Sequence, residues 1–116
     1  MAGEITNEGA LQAICFQWHW NTYPAERRML FHVQNKAKNK IEGSRFKAMG
    51  VVKGVSDFVY IARSAVHFIE LKTKTEQSDE QVEFETKVKA RGHSYHVVRN
   101  FGEFKKLILC LQGLKN

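Results

Sequence analysis

Apolar residues recur at helical spacing from about Thr6 to Asn21, where Leu11, Ile14, Cys15 and Trp18 fall on one stripe. Thr6 or Asn7 is placed to cap the start, and Tyr23-Pro24 ends the helix, because a residue before proline is pushed out of the helical region. The added aromatics Phe16 and Trp20 predict a helix covered on more than one side. Met29 to Val33 is a short apolar run that reads as a strand, and the polar Asn35 to Lys40 reads as a loop. Ile41 to Met49 has the spacing of a short helix stopped by Gly50. Asp57 to Ala62 and Ala65 to Lys72 are rich in β-formers and separated by four residues, which predicts a hairpin. Ser78 and Gln81 form a capping box before a helix containing Val82, Phe84 and Val88, and Arg91-Gly92 stops it. Ser94 to Val98 reads as a strand, and Asn100 opens a last helix, Phe101 to Leu111.

The predicted order is helix, strand, short helix, strand, strand, helix, strand, helix. It describes an α/β domain over residues 1–116, a small mixed sheet flanked by helices. No internal repeat or low-complexity segment interrupts it.

Composition narrows the class. The 43% hydrophobic and 26% charged content is that of a globular domain. No apolar run approaches the roughly 20 residues of a membrane span, and no basic-then-apolar leader opens the chain, so neither a membrane nor a signal peptide is expected. Cys15 and Cys110 lie far apart inside apolar stretches and are expected to be reduced, mostly buried thiols of a cytosolic protein. His93 and His96 are three apart on a predicted strand, so they face opposite ways and make a poor zinc pair.

Charge adds a partner. The net charge of +6 is concentrated between His32 and Ser56, where Lys36, Lys38, Lys40, Arg45, Lys47 and Lys53 stand against Glu42 alone. Such a run is either a solvated surface loop or a phosphate-binding footprint.

The chemistry sits beside that run. On the strand Ala65 to Lys72, Val66, Phe68, Glu70 and Lys72 share one face. Both faces are apolar until the end, so the strand is expected to be central and its charges need an explanation. Glu-x-Lys can simply mark where a strand leaves for solvent. Asp57 opens the preceding strand, however, and a hairpin sets its start against the finish of the next. Two carboxylates with a lysine beside them suit a hard divalent cation such as Mg²⁺. The Leu71 carbonyl is a further oxygen, and Lys72 is placed to assist a water or offset charge.

The stretch GVVKGVSDFVYIARSAVHFIELK, followed by SDEQVEFETKVKARGHSYHVV, resembles the VRR-NUC (virus-type replication-repair nuclease) branch of the PD-(D/E)XK superfamily. The resemblance extends from Glu8 to the last helix. The matching elements are Gly54 and Asp57, Glu70 and Lys72, Gln81, and Gly92; Ser56 stands where the superfamily name has proline. The resemblance implies a restriction-endonuclease-like core, αβββαβ plus a C-terminal helix. It implies a Mg²⁺- or Mn²⁺-dependent endonuclease without organic cofactor, in the cytoplasm of a bacterium or phage-infected host. It implies Asp57, Glu70, Lys72 and Gln81 as catalytic residues. It also implies a first-helix glutamate as a metal ligand, which Glu8 fits best and Glu4 less well; Glu8 reads equally as a solvated first-turn acid. Gln81 reads both as a cap and as a residue leaning toward Lys72 or a water. The expected substrate is branched or duplex DNA, above all four-way (Holliday) junctions, cut by a homodimer whose interface would come from the first helix or from Leu107, Leu111 and Leu114. The alternatives are an inactive DNA-binding module and a nuclease acting on flaps or RNA.

Overall fold

The protein is described by a computed structural model over residues 5–113. Its elements follow the predicted order: α1 (Glu8–Thr22), β1 (Leu30–His32), α2 (Lys40–Met49), β2 (Phe58–Ile61), β3 (Val66–Leu71), α3 (Asp79–Ala90), β4 (Ser94–Val98) and α4 (Phe101–Leu111). A short 3-10 turn, Pro24–Glu26, follows α1. The predicted caps Asn7, Ser78 and Asn100 form, and Asn39, within the stretch expected to be loop, caps α2; each accepts a backbone N–H in the first turn of its helix, which satisfies donors that a helix start leaves orphaned.

The strands form one sheet in the order β1-β2-β3-β4. β1, β2 and β3 run antiparallel in sequence, while β4 joins β3 in parallel after the α3 crossover. β3 is therefore central, as its two-sided apolar pattern requires.

The two faces bury different helices. Phe58, Tyr60, Ile69, Leu71 and Val98 form the core with Leu11 and Cys15 of α1 and Phe104 and Ile108 of α4. On the other face Phe84 of α3 packs edge-on against Phe68 and Tyr95 at ring separations of 5.6 and 6.0 Å. The strand period explains the split, since residues 66, 68 and 70 face α3 and residues 67, 69 and 71 face the core.

Three expectations need correction. Cys15 is buried, and burial pushes its thiol up to about 12, but Cys110 lies on the exposed side of α4. Val82 is exposed, so the apolar contacts of α3 come from Phe84 and Val88. Ile14 and Trp20 are also exposed, so Ile14 leaves the stripe; Leu11, Cys15 and His19 are the buried positions of α1, and Phe16 and Trp18 pack half-buried against the core on either side of them. Glu4 and Leu114 lie outside the described residues. No described helix is long and apolar enough to cross a membrane.

Candidate active site

The β2–β3 register brings the two strand-end carboxylates together. Phe58 pairs with Ile69, so continuing the antiparallel register sets Asp57 opposite Glu70. Asp57 is past the last ladder residue, and its side chain takes over from the ladder. Its Oδ2 accepts the Leu71 N–H at 2.7 Å. The bend before it is held by Ser56, which is buried and whose hydroxyl donates to the Phe58 carbonyl. Serine thus fixes this turn without the proline of the superfamily name.

Glu70 is only 2% exposed. Its Oε2 accepts from Gln81 Nε2 at 2.8 Å, and its Oε1 lies 3.5 Å from the donating Tyr95 hydroxyl. Burial, and then the adjacent Asp57 carboxylate, push the Glu70 carboxyl from the ordinary 4.5 up to about 8; Lys72 opposes the rise. Two carboxylates this close repel, and without a cation a proton is what reconciles them.

Lys72 is 8% exposed, a rare environment for an ammonium. Its Nζ donates to Thr75 Oγ1 at 3.5 Å. Among the described residues it makes no ion pair within 4.0 Å. A cation held back in this way retains donors for a ligand.

One cavity of about 460 Å³ gathers the set: Glu8, Asp57, Glu70, Lys72 and Gln81 line it, with Lys36 and Lys53. A larger cavity, about 590 Å³, lies by Tyr23, Glu26 and Gln112 and has no carboxylate pair. Glu8 arrives on the first turn of α1 and accepts the Thr73 N–H at 3.3 Å. It is therefore a member of the cavity wall rather than a merely solvated acid.

Among the described residues, no three acidic, imidazole or thiol groups already form a metal cage. The donor set nevertheless fits a hard divalent cation. Asp57 and Glu70 adjoin, Glu8 shares their cavity, and its charge adds to the upward push on Glu70. A small cation bound through one or two carboxylates leaves its remaining positions to waters and phosphate.

Gln81 closes the capping box as expected and also leans into the cavity, but onto Glu70 rather than Lys72. Its Oε1 accepts the Ser78 N–H as the return half of the capping box, while its Nε2 holds Glu70. Ser78→Ala removes the reciprocal bond and should cost about 1 kcal/mol. Urea unfolding of the variant checks this as a lower midpoint at unchanged slope.

The basic run divides. Lys36 and Lys53 line the cavity, whereas Lys38, Lys40, Arg45 and Lys47 do not and are exposed on or beside α2. Sequence reasoning missed Tyr95 and Thr75. Tyr95 had a usable signal: it faces α3 like Glu70, and β4 follows the α3 crossover into parallel register beside β3. Thr75 had none, since it lies in an irregular turn.

No protein-family model matches the sequence, and no curated protein matches it. Among solved structures, a chain titled "VRR_NUC domain protein" superposes with a TM-score of 0.78. The match covers 100% of this chain and 94% of that one at 22% identity. The fold is therefore the one carried by that VRR_NUC domain protein.

Proposed function

We propose that the chain is a nuclease of the VRR-NUC type that hydrolyses phosphodiester bonds in structured DNA, four-way junctions foremost, with Mg²⁺ or Mn²⁺. The observation that carries this reading is the set Asp57, Glu70 and Lys72 in one cavity whose wall also holds Lys36 and Lys53. The likeness of the fold to a VRR_NUC domain protein supports it.

Asp57 and Glu70 hold the cation, with Glu8 and the Leu71 carbonyl as further oxygen donors. The chemistry that a divalent cation supplies there is polarisation of the scissile phosphate and acidification of water. Gln81 and Tyr95 fix the Glu70 carboxylate in orientation. Lys72 directs its ammonium to the attacking water and to the charge that gathers on the phosphate. Lys36 and Lys53 receive neighbouring phosphates, which gives affinity without sequence choice. A two-fold homodimer would offer two such cavities for the paired cuts that a junction needs.

Labelled duplex, flap, four-way DNA and single-stranded RNA, each incubated with and without Mg²⁺ or Mn²⁺, test the reading. Cation-dependent cutting with four-way DNA preferred is the expected result. Binding without cutting on any substrate would identify a DNA-binding module instead, and cutting of flaps or RNA in preference to four-way DNA would reassign the substrate.

A pH dependence follows from Glu70. Its folded pKa is raised, so its contribution to stability is complete below about 4.5 and declines as pH rises through 8. Glu70→Gln has no such titration. Without divalent cation, wild type should lose stability relative to Glu70→Gln between those limits. Urea midpoints of both proteins at several pH values check this, and parallel curves would refute it.

A further inference from the structure

The three most exposed large apolar side chains among the described residues are Ile41 at 84%, Met49 at 70% and Val52 at 58%. All lie on α2 or just after it. The next, Val82, is 46% exposed and stands on α3. No residue of α2 is buried, so the helix stands out from the body of the protein.

The outer face of α2 has an order. Ile41, Arg45, Ala48 and Met49 are spaced i, i+4, i+7 and i+8, which places them on one stripe. All four are exposed. From Ile41 to Met49 the stripe is about 12 Å long at 1.5 Å per residue. Arg45 stands within the stripe, Lys40 and Lys47 lie together on the side face next to it, Glu42 borders its other edge, and Lys53 leads from α2 into the carboxylate cavity. A stripe with apolar ends, a cation at its middle and two more on one side, joined to the proposed phosphodiester site, matches a polyanion with exposed ring faces. A lipid surface is the poorer match, since two large apolar residues on a short helix give little area to bury in a bilayer.

We infer that the α2 stripe is a wedge, with Ile41 and Met49 each meeting the face of an unstacked base at the branch of a DNA junction while the long side chains of Lys40, Arg45 and Lys47 reach the neighbouring phosphates. Side chains of this kind insert between bases where stacking is already interrupted, and insertion is least costly at a branch. The wedge selects DNA by shape, because base faces rather than base edges are met. This inference rests on the proposed nuclease reading and adds to it the means by which branched DNA is chosen.

The test compares the full chain with the double variant Ile41→Ser/Met49→Ser. The probes are a four-way junction carrying 2-aminopurine at successive steps around the branch and a linear duplex of the same sequence, both with chelator so that nothing is cut. Because α2 buries no residue, the variant should fold with an unchanged melting temperature. Wild type should raise 2-aminopurine fluorescence at a step beside the branch. The variant should lose that signal and about ten- to a hundredfold of its junction affinity, the scale of one lost base-stacking contact, with duplex affinity retained. Three results overturn the wedge alone: an unchanged signal and preference in the variant, no signal in wild type, or a variant whose defect is a lower mass in sedimentation or lost binding to anionic vesicles. Failure of wild type to bind any DNA overturns the nuclease reading as well.

Discussion

Lys72→Ala should lower cation-dependent strand cleavage by about 10²–10³-fold, the usual effect of removing one preorganised donor from a site of developing charge. DNA binding should change little, because the cations proposed to meet phosphate, Lys36 and Lys53 at the cavity and those on α2, remain. Lys72 is buried and has only a long bond to Thr75, so its ammonium has no structural ion pair among the described residues to lose. Lys72→Met separates the two effects, since it keeps the stem and removes the charge. Both variants, assayed for single-turnover cleavage and for binding under chelator, should cut slowly and bind normally. Wild-type cleavage by Lys72→Met would remove lysine from the mechanism.

Gly54→Ala should have the largest effect on stability. Gly54 has φ +89, and a Cβ there would lie 2.6 Å from both the backbone carbon and the Cβ of Glu80. The backbone at the first turn of α3 cannot yield without moving Gln81 away from Glu70. Strain and overpacking together should cost about 2–5 kcal/mol. Gly50 is the control: its φ is +92, with nothing within 4 Å of the position a Cβ would take. Gly50→Ala should cost only the left-handed backbone penalty, about 1–2 kcal/mol. Urea unfolding of the pair isolates the clash as their difference, and cleavage should fall in Gly54→Ala but not in Gly50→Ala. Equal destabilisation would show that the close approach to α3 carries no weight.

The elements most legible in sequence are those with local causes. Helix starts at Asn7, Ser78 and Asn100 follow from side chains that bond their own first turn. The stop at Gly50 follows from its left-handed backbone. The Asp57–Glu70 pairing was legible because a hairpin with a short turn leaves one register that buries Tyr60 and Ile69 together. Cys110 was not, because an apolar neighbourhood in sequence does not say which side of α4 faces the core. Glu8 was legible as a candidate only, since 65 residues separate it from its partner Thr73.

The sequence by itself determined the order of elements, the caps of α1, α3 and α4, and the meeting of Asp57 and Glu70 at one end of a hairpin with Lys72 beside them. These depend on periods, caps and turns that act over a few residues. Only the tertiary structure decided that Glu8, Gln81 and Tyr95 converge on that pair, that Gln81 holds Glu70, and that α2 stands exposed with Ile41 and Met49 on its outer face. The physical reason is that side chains distant in sequence meet only when α1, α3 and β4 pack around β3. That packing is set by the burial of Phe58, Tyr60, Phe84 and Phe104 rather than by the site residues themselves.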